Sequence, residues 1–232
     1  MPPSTKPPRR SHLSPLSRER VIDAAVQVAD AGGVAMVTMR RVAEQLGVEA
    51  MSLYHHVANK DVILDALIDQ VFAEIDLPAA NEDWTSAMRR RAASARIAIR
   101  RHSWALGLME SRPNPGPSTL RHHDAVLGCL RGAGFSVAQA AQAFSLLDSY
   151  VSGFVLQEIS LPFQNNAELE DVAEAITAEM LPGEYPYLIE LMVEHARQPG
   201  YAFADEFETG LDLILDGLAR RLEPGATTSA TA

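Results

Sequence analysis

Between residues 40 and 60 the sequence gathers side chains that can bind phosphate oxygens and base edges. Arg40 and Lys60 carry positive charge, which an oxyanion attracts. Tyr54, His55 and His56 offer hydroxyl and imidazole groups that donate hydrogen bonds. Ser52 can donate or accept, and Ala50 and Met51 offer the apolar contact that suits a thymine methyl. His55 and His56 do not make a metal pair. Neighbours on a helix diverge by roughly 100°, so the two rings cannot grip one ion together. The competing role for Tyr54 is ordinary packing.

Those groups need an element to hold them. Thr38 is placed to cap a helix in which Val42, Ala43 and Leu46 recur at helical spacing. Gly47 follows, where a left-handed backbone costs little. A second helix is expected from Ala50 to His56, with Leu53 and Val57 turned inward and Met51, Ser52, Tyr54, His55 and His56 turned outward. At a rise of roughly 1.5 Å per residue it is about 10 Å long, which fits a major groove about 12 Å wide. Two short helices about a glycine turn make a helix-turn-helix. Ala50, Met51 and Ser52 then lie at the end of the second helix that reaches base edges.

At this point the residues resemble a known family. The helix from Arg18 to Ala31, the run Met39-Arg40-Arg41-Val42-Ala43, the turn Leu46-Gly47-Val48, the segment Leu53-Tyr54-His55-His56-Val57 and Asn59-Lys60-Asp61 are similar to the DNA-binding domain of the tetracycline-repressor (TetR) family of bacterial regulators. The likeness covers about residues 17 to 77. Glu82-Asp83-Trp84, Ser111-Arg112-Pro113, Gly134-Phe135-Ser136 and the helix around Phe203-Ala204-Asp205-Glu206-Phe207 resemble, less tightly, the tetracycline-repressor ligand-binding domain. The resemblance implies that Arg40 reaches DNA and that Tyr54, His56 and Lys60 grip phosphates. His55 could meet a base or a phosphate.

Bulk properties bound the function. Apolar residues make up 47% of the 232, enough for a large core and consistent with a helical globular chain. No run of eighteen apolar residues occurs, so no membrane span is expected. The N-terminus is rich in Pro, Ser and Arg and does not read as a secretory signal. The single cysteine, Cys129, cannot form an internal disulfide, which suits a reducing cytoplasm. A net charge of −10 argues against a nucleic-acid binder until its distribution is read. Residues 1 to 60 hold eight cations and five anions, a net +3, and the remainder is −13. Such a chain would meet DNA by its N-terminal part, because the remainder is repelled.

The order of segments follows from composition and periodicity. Residues 1–16, with five prolines, read as a disordered arm whose Lys6, Arg9 and Arg10 could touch a DNA backbone or minor groove. Residues 17–77 form the DNA-binding domain, closed by a fourth helix that Asn59 caps. Residues 78–223 read as helices throughout and form an effector-binding and dimerisation domain, and 224–232 is a disordered tail. No strand pattern appears, so the fold class is all-α, an N-terminal three-helix helix-turn-helix domain followed by a helical C-terminal domain.

Two surfaces of the C-terminal part attract function. The helix from Val137 to Glu158 and the terminal helix each carry more apolar residues than one core face needs, among them Phe154, Val155, Leu213 and Ile214. A helix apolar nearly all round is buried on both sides. The resemblance implies that these two helices pair with those of a second copy, so a homodimer is expected to present two recognition helices about 34–36 Å apart to a near-palindromic operator. A large monomer core is the rival. The resemblance also implies an effector pocket between Trp84 and Phe154. Its candidates are Trp104, Leu108, Arg112, His123, Leu127, Phe144 and Asp148, apolar walls with a few polar anchors suited to a small organic molecule. The family's histidine near the end of helix four falls here at about Ile75-Asp76 and its metal-binding histidine near Leu108, and of the drug-contacting set only Arg112-Pro113 persists. A magnesium–tetracycline complex is therefore not the expected effector, and neither metal nor cofactor is expected.

No phosphate loop, metalloprotease helix, nucleophile elbow or paired-cysteine motif is present, so the sequence does not read as an enzyme. The reading is a ligand-responsive transcriptional regulator acting on double-stranded DNA. The alternative is a helical sensor of a metabolite or protein that uses Met51, Tyr54 and His55 as a protein interface. A steep salt dependence of binding belongs to the first and not to the second.

Overall fold

The computed structural model describes residues 15–79, 81–109, 111–163, 165–178, 180–181 and 183–222. Most of the expected arm, Lys6, Arg9 and Arg10 included, and the tail from Pro224 lie outside the described residues. Among those described the chain is all helical, with no strand. It divides into two compact units, residues 1–67 and 68–232.

In the first unit, α1 (Arg18–Gly32) starts where the Ser17 hydroxyl accepts from the Arg20 amide at 3.3 Å. Its inward face is Val21, Ile22, Ala24, Ala25 and Ala29, all buried. A 3₁₀ turn, Val34–Met36, leads to α2 (Met39–Leu46), which Thr38 caps through the Arg41 amide at 3.2 Å. Val42 and Ala43 bury α2 against α1, and Gln45 donates to Gln27 at 2.7 Å across the same joint. Gly47 then turns the chain at φ 68°, ψ 34°, a left-handed conformation that glycine adopts without Cβ strain.

The next helix, α3 (Ala50–Leu53), is shorter than the periodicity suggests. Beyond Leu53 the amides of Tyr54 and His56 reach back only three residues, to Met51 and Leu53, and tighten the segment into turns. Leu53 and Val57 remain buried, so the inward side of the segment is kept although the helix is not. Asn59 accepts from the Val62 amide at 3.0 Å and opens α4 (Lys60–Ala73). α4 belongs to the first unit through Leu67 and to the second from Ile68. Past Ala73 the chain loosens into a turn at Glu74 and Ile75, ahead of Pro78.

The second unit is organised on α8 (Val137–Ser160), against which α5 (Trp84–Arg101), α7 (Pro117–Gly132) and α11 (Glu206–Arg220) pack. α6 (Ala105–Met109), α9 (Asn166–Ala178) and α10 (Pro186–Leu191) complete it. Asp83 caps α5 through the Ser86 amide, and Ser136 with Gln139 forms a reciprocal capping box on α8. α7 has a borrowed cap. Asp69, on the second-unit part of α4, accepts from the Thr119 amide at 2.8 Å and its hydroxyl at 3.1 Å. Past Leu191 the chain widens into a π turn, Met192–Ala196, and a 3₁₀ turn, Phe203–Asp205, precedes α11, where the sequence suggests unbroken helices.

A buried ion pair ties the layers. Arg96 of α5 forks onto Glu158 of α8 at 2.7 and 3.0 Å and donates to the Ala204 carbonyl at 3.0 Å. Its guanidinium lies 5.0 and 4.8 Å from the ring centroids of Phe154 and Phe207, which themselves meet edge to face at 5.1 Å. Gly210 lets α11 approach α8, since a Cβ there would overlap the Tyr150 hydroxyl, which donates to the Phe207 carbonyl at 2.8 Å. The thiol of Cys129 on α7 is half-buried. Burial, then the carboxylates of Glu82 and Asp83, push it above its ordinary pKa. No described helix is long and apolar enough to cross a membrane.

Candidate functional site

The α2–α3 pair presents an exposed, largely polar surface. Met51 is 73% exposed, although a methionine of a core would be covered. Tyr54 and His55 are exposed beside it, and Ala50, Ser52, His56 and Lys60 are half-buried. Arg40 stands at the start of α2 with its side chain 86% exposed, held by Glu44 one turn on at 2.9 Å. Such a surface pair is worth less than about 1 kcal/mol, so a phosphate can exchange for it at little cost. Lys60 lies in the first turn of α4, where free backbone amides also favour an anion. The buried side chains Val42, Ala43, Leu53, Val57 and Ile63 support this surface from beneath.

The second unit contains a cavity of about 250 Å³ with two unlike walls. Phe72 and Ile75 from α4 and the turn after it, Ala95 and Ile99 from α5, and Met109 make an apolar wall. Ser145, Asp148, Ser149 and Ser152 recur at helical spacing along α8 and make a polar one, joined by Arg91 of α5. Arg91 is paired with Asp148 and donates from Nε to His122 Nε2 at 3.1 Å. His122 is wholly buried against Phe72, with ring centroids 5.1 Å apart. Burial, then the Arg91 charge, pushes its pKa down to about 3, so it is neutral at pH 7. His123 packs edge-on against Phe72 and Phe144, and burial lowers its pKa too, with Asp148 opposing.

Of the residues that the sequence nominates for an effector, only Asp148 lines the cavity, while His123 packs on Phe72 and Phe144 on Arg91 without lining it. Leu108 is buried and Trp104, Arg112 and Leu127 are half-buried, and none of these four lines the cavity. Trp104 lies 5.6 Å from His102 instead. Sequence reasoning missed Arg91, His122, Phe72 and the three serines. One signal for Arg91 was present. It falls on the Ala87-Met88-Ala92-Ala95 stripe of α5, and a charge on an inward stripe needs a partner. His122 gave a similar one, since it stands four and eight residues before Val126 and Leu130 on the inward stripe of α7. Among the described residues no group of three or more His, Cys, Asp or Glu could hold a metal ion.

Comparison with known proteins agrees with this geometry. The family model for bacterial regulatory proteins of the tetR family matches residues 21–67, and the tetracyclin repressor-like C-terminal domain model matches residues 77–222. The chain is 35% identical over 224 residues to the HTH-type transcriptional repressor DrrR1 of Streptomyces coeruleorubidus, covering 91% of this chain and 80% of that one. It is 32% identical over 213 residues to the class A tetracycline repressor protein from transposon 1721 of Escherichia coli, covering 90% and 93%. Among solved structures, the Streptomyces coelicolor TetR family protein ActR in complex with actinorhodin superposes with a TM-score of 0.74 at 25% identity, over 91% of this chain and all of that one. A helix-turn-helix surface, a helical second unit with a small cavity and likeness to such repressors over about nine-tenths of the chain make it a member of the TetR family of DNA-binding transcriptional regulators.

Proposed function

We infer that the protein is a repressor that holds a near-palindromic operator as a homodimer and lets go when a small molecule fills the cavity bounded by Arg91, Asp148 and Phe72. Arg40, Tyr54, His56 and Lys60 would meet phosphates, and Ala50, Met51, Ser52 and His55 would face base edges. The observation that carries the switch is the cavity wall. Phe72 lies on α4, the helix whose first residue is Lys60, and Ile75 follows in the turn beyond it. A ligand that displaces those two side chains acts on the same continuous helix that begins with a phosphate-binding residue. It controls binding only by preferring one state of that helix, and a preference of roughly 10⁴-fold would switch it almost fully.

The exposed Leu146 and Leu213, at 46% and 70%, border an open groove between α8 and α11 that a second copy would close. Gel-shift titration against DNA flanking the protein's own gene tests the reading. Binding should weaken steeply with salt, and Ser52→Ala should alter base preference while leaving the salt slope unchanged. Failure to bind any duplex at low ionic strength would overturn it.

A further inference from the structure

Arg91 is only 3% exposed, yet one of its two terminal nitrogens, Nη1, has no hydrogen-bond partner among the described residues. The other is held by Asp148, and Nε donates to His122 Nε2. An arginine keeps all its protons, so that histidine nitrogen must be the acceptor, and the neutral ring then carries its own proton on Nδ1. His122 Nδ1 is also buried and also lacks a partner among the described residues. Both leftover groups are donors. Buried donors without acceptors are rare in folded chains, because each has given up its hydration for nothing. Arg91 itself lines the cavity, and His122 is held against Arg91 through Nε.

We propose that the effector is a small organic acid, an apolar body bearing one ionised oxygen group, and that Arg91 is its anchor. The proposal rests on reading the cavity as the effector site and names the chemistry of what enters it. The acid's oxygens accept from Arg91, and the hydroxyls of Ser145, Ser149 and Ser152 along the same wall can supply further donors. Its body lies on Phe72, Ile99 and Met109. Asp148, already 33% exposed, yields its place on the guanidinium and turns toward water, so one carboxylate is exchanged for another and the buried charge stays balanced. An amine has no such place. It would meet Arg91, the cation among the described residues that line the cavity, and the Asp148 charge is already paired.

Calorimetric titration of the full-length, DNA-free protein with 2-naphthoate, its neutral amide and 2-naphthylmethylamine tests this. The acid should bind at least about tenfold more tightly than the amide, the value of one charge-assisted hydrogen bond, and the amine should not bind. Asp148→Asn removes the competing carboxylate and should tighten the acid by at least about threefold without moving the amide. Arg91→Met should weaken the acid at least about tenfold at unchanged helical circular dichroism, with Arg91→Lys between. If Arg91→Met does not fold, the direction of the Asp148→Asn effect decides. Equal binding of amine and acid, a weaker acid in Asp148→Asn, or no saturable binding of the acid overturns the proposal. No DNA takes part, so a protein that prefers the acid but ignores every duplex would sink the regulatory reading alone.

Discussion

Arg40 and Arg91 show one residue type in two opposite settings. Arg40 is held only by an exposed Glu44, so removing it should leave the fold intact. Arg40→Ala is expected to change unfolding free energy by less than about 0.5 kcal/mol. It should also flatten the dependence of log K on log salt by about 0.9, the share of one phosphate contact. Urea melts and anisotropy titrations between low and moderate salt check both halves, and a large stability loss would mean that Arg40 is structural. Arg91 is the reverse, buried and half-satisfied, and no statistic of charge along the chain distinguishes the two. Burial does, and burial arises from packing between α5, α7 and α8, which lie far apart in sequence.

Elements were legible where their signals are local. The capping of α1, α2, α4, α5 and α8 could be read from Ser17, Thr38, Asn59, Asp83 and Ser136, because each cap involves residues three positions apart. Helix ends set by distant partners were not. Nothing near Thr119 announces that Asp69 caps α7, and nothing near residue 116 announces why glycine stands there. A Cβ at Gly116 would overlap the Asp69 carboxylate. Gly116→Ala should therefore cost about 1–3 kcal/mol by overpacking, and Asp69→Ala about 1 kcal/mol by loss of the cap. The double variant should cost less than the two together, since the shortened side chain at position 69 makes room for the new methyl. Denaturant midpoints of the three proteins measure that cycle, and strict additivity would show that the two residues do not touch.

The Arg96–Glu158 tie makes a second prediction at this scale. Arg96→Met leaves a buried carboxylate, and loss of one partner of such a pair costs about 3–5 kcal/mol. Arg100 stands 3.7 Å from Glu158 and softens the loss toward the lower figure. The hydrogen bond from Arg96 holds the Glu158 carboxyl below its ordinary 4.5. Glu158 thus contributes stability in full above pH 4.5, and that contribution drains away as pH falls through its lowered folded-state value. Thermal melts of wild type and Glu158→Gln should differ most above pH 4.5 and converge as pH falls below it, and parallel curves would refute the assignment.

At the scale of the whole molecule, the two apolar faces of α8 and α11 were legible as an excess over one core, and the structure sorts them. Leu147, Val151, Phe207, Leu211 and Leu215 turn inward, while Leu146, Leu156 and Leu213 stay exposed. Leu213→Glu should leave the protein folded, because the site is open in a single chain, and should convert a dimer to a monomer in sedimentation. Operator affinity should fall with it, as two half-sites are no longer held by one particle. A dimer that persists would place the contact elsewhere. The wide separation of charge, a basic N-terminal stretch and an acidic remainder, could be read in full from the sequence, since charge needs no partner to be counted.

Cys129 gives the molecule an experimental advantage. Its thiol is half-buried, and burial with nearby carboxylates raises its pKa, so it should react with maleimides at neutral pH more slowly than an exposed cysteine. A cysteine introduced on the open surface beside Tyr54 would take a spin label or dye ahead of it. One such probe per copy becomes a ruler across the assembled pair, able to report in solution whether the two reading heads stand one turn of DNA apart and how that spacing changes when a ligand arrives.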